Sequence, residues 1–282
     1  MYGSHLSIAG GMHKAIKAAL DLGCETLQCF TKNQQQWKAP PLAADAIQTW
    51  AEALGESKFS HTVSHDSYLI NLATADPVLR EKSVALFVEE LRRCDLLGIP
   101  FLVTHPGAHM GAGEDVGLER VAKAFDEIHA ELKTKKVVTC LEITAGQGSS
   151  LGYKLEHLAT IIEKVKHPER MAVCLDTAHL FAAGYDFRGR KYAAFRRELE
   201  KTVGLDRVKV WHLNDSKKAL GSRVDRHDHI GKGTIGIEGF RPIVRDKLWK
   251  KTPKILETAK EKSPDGRPWD EVNLETLRGL EE

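Results

Sequence analysis

The chain has no CxxC pair, and its five cysteines are odd in number and fit no disulfide framework. Reduced thiols in a cytoplasmic setting are the expectation. No apolar run approaches the roughly 18 residues needed to cross a bilayer, so no membrane association is expected. The opening residues Met1-Tyr2-Gly3-Ser4-His5 lack the basic and apolar regions of a secretory signal. A GxGxxG turn is missing, which weighs against an open dinucleotide-binding sheet. Linkers rich in proline and serine are missing too, so one domain over residues 1–282 is expected. Net charge is nearly absent, with 41 basic against 39 acidic side chains. That balance neither demands nor forbids nucleic acid, because a local basic groove can sit inside it.

What the chain does contain is a regular alternation. Short β-like runs at Ser4–Ile8, Thr26–Phe30, Ser60–His65, Phe101–His105, Val137–Glu142, Met171–Asp176, Arg207–His212 and Lys254–Thr258 are separated by stretches of helical periodicity. Val84, Phe87, Val88 and Leu91 show that period, as do Leu118, Val121, Ala122 and Phe125. Asp76-Pro77 reads as an N-cap followed by proline in the first helical turn, with Gly98 and Pro100 closing the same helix. Strand–helix units repeated about eight times over 282 residues point to an α/β fold, a (β/α)₈ TIM barrel.

In such a barrel the carboxyl ends of the strands meet on one face, where active sites lie. His65, His105, Glu142, Asp176, His212 and Glu257 end the third to the eighth strands. Taken singly, a histidine there is more often a hydrogen-bonded structural residue, and an aspartate often caps the next helix. Six in succession are hard to reconcile with that view. Imidazoles and carboxylates packed together without compensation would shift one another's ionisation, and divalent cations resolve the conflict. Nitrogen and oxygen ligands without cysteine suit zinc or manganese.

His179 lies three residues after Asp176, within the first turn of the next helix, and the loop after His212 holds Asp225, His227 and His229. Spacing does not separate His227 from His229. With Asp225 and one of them the set reaches five histidines and four carboxylates, too many for one tetrahedral ion and suited to two or three. Three dications against four carboxylates leave two positive charges, which a hydroxide and a phosphodiester would cancel. The arithmetic favours a phosphoester over a neutral sugar.

The motifs make the pattern specific. Gly3-Ser4-His5-Leu6-Ser7, Phe30-Thr31-Lys32-Asn33-Gln34, His65-Asp66-Ser67-Tyr68-Leu69-Ile70-Asn71-Leu72, His105-Pro106-Gly107 and Glu142-Ile143-Thr144-Ala145-Gly146-Gln147-Gly148 come first. Leu175-Asp176-Thr177-Ala178-His179, His212-Leu213-Asn214-Asp215, Val224-Asp225-Arg226-His227, Gly231-Lys232-Gly233 and Leu256-Glu257-Thr258 follow. In this order they resemble the endonuclease IV family of apurinic/apyrimidinic DNA-repair endonucleases, trinuclear zinc enzymes on a TIM barrel. The resemblance implies one zinc on His65, His105 and Glu142. It implies a second on Glu142, Asp176, His212 and Glu257, and a third on His179, Asp225 and His227. It chooses His227 over His229.

The implied reaction is hydrolysis of the phosphodiester 5′ to an abasic site in duplex DNA by a metal-activated hydroxide, leaving a 3′-hydroxyl. Glu142 bridges two ions and Glu257 orients or deprotonates the water. Side chains must also enter the base stack. Gln35 and Gln36, in the loop after the second strand, and Tyr68 are the candidates for DNA contact; relatives often carry arginine where this chain has Gln35. Trp37 reads equally as a core anchor. His5 and His13 lie where they could approach the site, and neither is assigned as a ligand. Manganese is the alternative metal at one site, and a monomer without an obligate protein partner is expected. The rival readings are a metal-dependent sugar isomerase or epimerase on the same barrel, an amidohydrolase, which would want HxH where this chain has His5-Leu6-Ser7, and a non-catalytic zinc or DNA-binding module.

Overall fold

The computed structural model describes residues 1–132 and 136–282. Eight strands form one parallel sheet: β1 (Tyr2–Ser4), β2 (Gln28–Cys29), β3 (Val63–His65), β4 (Phe101–Thr104), β5 (Val138–Glu142), β6 (Met171–Asp176), β7 (Val208–His212) and β8 (Lys254–Leu256). Each pairs with its sequence neighbour from β2 through to β8, and β8 then pairs with β1. The last gap, between β1 and β2, is spanned by a single parallel bridge from His5 to Gln28. The sheet is thus a nearly closed barrel, as the alternation implies.

Helices His13–Asp21, Ala44–Ser57, Pro77–Leu97, Glu114–Glu131 and Leu155–Lys164 connect the first six strands and cover the outside. Asp76 caps the third of these, accepting from the N–H groups of Val78 and Leu79, and Gly98 closes it in the left-handed conformation. Both ends follow from local chemistry: a carboxylate satisfies free N–H groups, and glycine tolerates positive φ. No helix among the described residues is long and apolar enough to cross a membrane.

The first strand lies earlier than Ser4–Ile8. Tyr2–Ser4 pair with Lys254–Leu256, and a Cβ at Gly3 would lie 2.3 Å from the Thr26 carbonyl oxygen. Only glycine lets the backbone pass that close, so the pairing begins around it and the chain leaves the sheet soon after His5.

Strand alternation divides the interior in two. Met171, Val173 and Leu175 of β6 face the surrounding helices and join the large outer core, whereas Ala172 and Cys174 face the barrel axis. With Val63, Val103, Cys140, Val210 and Ile255 they form a small apolar plug inside the barrel. Side chains repeat with a period of two, so the inward residue one step beyond the plug stands on the carboxyl-end face. That step reaches His65 from Val63, His105 from Val103, Glu142 from Cys140, Asp176 from Cys174, His212 from Val210 and Glu257 from Ile255.

Candidate metal centre

The six strand-end residues meet above the plug. Glu142 is fully buried and lies at their middle. Its Oε2 is 3.2 Å from His65 Nε2 and 3.3 Å from His105 Nε2, and its Oε1 is 3.1 Å from both His212 Nδ1 and His179 Nδ1. His212 Nδ1 also lies 3.0 Å from Glu257 Oε2 and 3.9 Å from Asp176 Oδ2. Two loop residues complete the cluster. Asp225 places its carboxylate oxygens 3.2 Å from His179 Nε2 and 3.3 Å from His227 Nε2, and the latter is 3.8 Å from Asp176. All nine residues are therefore brought together.

Could they hold metal? A ligating imidazole needs one bare ring nitrogen aimed inward while the other N–H is tied to a fixed acceptor. His65 Nδ1 donates to the Asp66 carbonyl at 2.9 Å, and His179 Nδ1 to the Ile143 carbonyl at 2.9 Å. His212 Nε2 pairs with Gln28 Oε1 at 2.8 Å, and His227 Nδ1 with the Glu257 carbonyl at 3.3 Å. The remaining nitrogens of these four rings point at carboxylate oxygens. His227 Nε2 is buried and has no hydrogen-bond partner. Ligand atoms of three groupings lie within 4.8 Å of one another: His65 with His105 and Glu142; Glu142 with Asp176, His212 and Glu257; and Asp176 with His179 and His227. The donor set fits several divalent cations.

The electrostatics agree. Burial by itself would raise Glu142, but His212, His105 and His179 hold it well below the usual carboxylate range. Burial would likewise raise Glu257, and His212 keeps it low. Burial opposes protonation of His212 and His179, yet Cys174, Glu257 and Glu142 around the first and Asp176, Asp225 and Glu142 around the second push both well above the ordinary imidazole value.

Cys174 also lies near Glu142 and His212. Burial pushes its thiol up to about 12, and it belongs to the apolar plug, so it sits beneath the cluster as a thiol. His229 is elsewhere. Its ring stacks on Trp269 at 4.1 Å, its Nε2 faces Glu261 at 3.3 Å, and its Nδ1 meets Asn273 at 3.2 Å.

A cavity of about 440 Å³ opens beside the cluster, lined by Tyr68, Asn71, His105, Gln147, His179 and Asp225 among others. Tyr68 stands at its edge with 61% of its surface exposed and its ring 5.2 Å from that of His65. Gln35 and Gln36 are exposed, whereas Trp37 packs against the outer core. His5 lies at the rim, 3.5 Å from Glu257, while His13 begins the first helix.

Two supporting residues escaped the reading from sequence. Asn214 joins Asp176 to the Glu257 backbone, and its place two residues after His212 was a usable signal. Gln28 contacts both His212 and Glu257, and its only signal is a polar residue between Leu27 and Cys29.

Residues 16–281 match the family described as xylose isomerase-like TIM barrels. A probable endonuclease 4 of Chloroflexus aurantiacus is 47% identical over 280 residues, covering 99% of this chain and 97% of that protein. The crystal structure of endonuclease IV from Thermus thermophilus superposes with a TM-score of 0.85 at 36% identity, over 99% of this chain and 98% of that one. A D-tagatose 3-epimerase-like protein gives a TM-score of 0.73 over 99% of this chain and 96% of its own. Its identity is 17%, so that likeness shows the fold alone. The chain belongs to the endonuclease IV family, on a xylose isomerase-like TIM barrel.

Proposed function

We propose that this chain hydrolyses the phosphodiester 5′ to an abasic site in duplex DNA, leaving a 3′-hydroxyl, with three zinc ions held by the nine clustered residues. The observation that carries the reading is the convergence of five imidazoles on four carboxylates, with four of those imidazoles tied back through their outer nitrogen. His65, His105 and Glu142 form one ligand set. Glu142, Asp176, His212 and Glu257 form the second, and His179, Asp225 and His227 the third. Manganese is the alternative at one of them.

Metal held by these residues would supply an acidified water and positive charge at the ester. The protein's own groups do the positioning. Glu142 turns one oxygen toward His65 and His105 and the other toward His212, so it would serve both of the first two ligand sets. Glu257 keeps Oε1 on Gln28 and Oε2 inside the cluster, so it is suited to orient the attacking water and take its proton. Tyr68, with Gln35 and Gln36 from the neighbouring loop, meets the duplex at the cavity. The enzyme acts as a cytoplasmic monomer.

The test is incubation of the zinc-loaded protein with a duplex carrying one abasic analogue. A single nick 5′ to the lesion, with a 3′ end that a polymerase extends, is expected. Glu257→Gln should leave binding intact and abolish most nicking. An untouched duplex, or turnover of an aldose in its place, would favour the isomerase or epimerase reading. Elemental analysis showing no transition metal in active protein would end the metal assignment.

A further inference from the structure

The inward positions on the carboxyl-end face number eight, and only six belong to the candidate ligands. The other two are His5, just beyond β1, and Gln28 of β2. Leu27 and Cys29 face the outer core, so Gln28 faces the axis. These two residues also form the bridge that closes the barrel.

The Gln28 side chain is determined by its partners. One end of the carboxamide lies 2.6 Å from Glu257 Oε1, which can only accept, so that end is the NH₂. The same nitrogen lies 2.9 Å from His5 Nδ1, and its second hydrogen goes there. The amide oxygen then faces His212 Nε2 at 2.8 Å, and an amide oxygen can only accept. His212 therefore carries a proton on Nε2. Its Nδ1, 3.0–3.1 Å from Glu257 and Glu142, is the nitrogen left to bind a cation.

We propose that Gln28 is a positioning residue of the metal centre. Its single carboxamide sets His212 to present Nδ1 and sets Glu257 to present Oε2. His5 takes the spare amide hydrogen and so fixes the amide's rotation. The inference rests on the reading of His212 and Glu257 as zinc ligands. A purely structural role for the seam is separable, because that seam uses backbone atoms: Leu6 N–H donates to the Gln28 carbonyl at 2.8 Å whatever the side chain.

The experiment uses the zinc-loaded full chain and two variants. Gln28→Met keeps length and bulk and removes both amide functions. Gln28→Glu restores the acceptor for His212 and sets a second carboxylate against Glu257. For Gln28→Met, zinc release to a chromophoric chelator should quicken about 10–100-fold, the range typical when such a partner of a ligand is lost. Turnover of the abasic duplex should fall by a similar factor at unchanged KM, and the melting midpoint of the metal-stripped protein should stay put. Gln28→Glu should regain part of the zinc retention while turnover stays low, and it decides the matter alone if Gln28→Met does not fold. Wild-type zinc release and turnover in a folded variant would overturn the proposal. A drop in the melting midpoint of the stripped protein that matches the zinc loss would do the same, by making Gln28 merely structural. Wild-type protein that takes up no zinc would sink the ligand reading first, and this inference with it.

Discussion

Asn214 donates its side-chain amide to Asp176 Oδ2 at 2.6 Å, and both residues are fully buried. The oxygen of the same carboxamide accepts the backbone N–H of Glu257 at 2.7 Å. One neutral side chain from the segment after β7 therefore holds a carboxylate at the end of β6 and the backbone just past β8. Asp176 uses its other oxygen to cap the helix Thr177–Ala183 at the His179 N–H, 2.8 Å away. The capping and cluster roles that compete in a sequence reading coexist in one residue.

Asn214→Ala should strip a buried acceptor and a backbone donor of their partners together. A cost of about 2–4 kcal/mol is expected, from the penalty of leaving two such groups unmade. Denaturant unfolding of the zinc-loaded protein measures it, and a change within about 0.5 kcal/mol of zero would mean water replaces the amide.

Lys32 is buried beneath the loop that carries Gln35 and Gln36. Its ammonium donates to the carbonyls of Asn33 at 3.0 Å and Gln36 at 2.6 Å, 3.8 Å from buried Glu90. Arg93 donates to the Thr31 and Pro40 carbonyls from the same side. Lys32→Met should leave Glu90 with the Ser67 N–H but without its buried cation, destabilising the fold by about 3–5 kcal/mol. Steady-state kinetics on abasic duplex should show KM rising while kcat holds, because the loop loosens and the metal ligands do not. A fall confined to kcat would contradict this.

Gln35 is exposed on the loop after the second strand. Gln35→Arg should tighten duplex binding and steepen its salt dependence by about 0.9 in the log–log slope, the signature of one added phosphate contact. Fluorescence anisotropy across a salt series reads both. An unchanged slope would place residue 35 away from the DNA backbone.

His129 bears on stability alone. It is buried, neither ring nitrogen has a hydrogen-bond partner, and burial with the nearby Arg170 charge pushes its pKa down to about 4. A folded value below the unfolded one of about 6.5 means the unfolded chain binds the proton first. The stability linked to this group is therefore complete above pH 6.5 and is lost as pH falls from there toward 4. Its amount is on the order of 3 kcal/mol, and His129→Phe should flatten that limb of the stability–pH curve. A variant whose curve overlays the wild type would show that the histidine is not the source.

The strand ends were legible from sequence because their geometry is local. A period of two on each strand, and convergence of all strands at one end of a parallel barrel, carry the residue two positions beyond each inward apolar side chain to one place. His65, His105, Glu142, Asp176, His212 and Glu257 follow from those two rules without any knowledge of neighbours. His179 follows as well, since it is one helical turn beyond Asp176. The placement of β1 did not follow, because the close pass of Gly3 by Thr26 is a contact between different strands.

Spacing left His227 and His229 equal, since both lie on one side of an extended loop. The choice is made by Trp269 and Asn273, 40 and 44 residues further on, which draw His229 aside into a stack and a hydrogen bond. Gln28 is the clearer instance. Alone it is a polar residue in a short apolar strand; only closure of the barrel brings it against His212, 184 residues away in the chain. The amino-acid order by itself determined which chemistry collects on the barrel's rim, because that depends on alternation within each strand. Which nitrogen of His179, His212 and His227 faces inward was decided by tertiary structure alone, because the acceptor that holds the other nitrogen comes from a distant part of the chain.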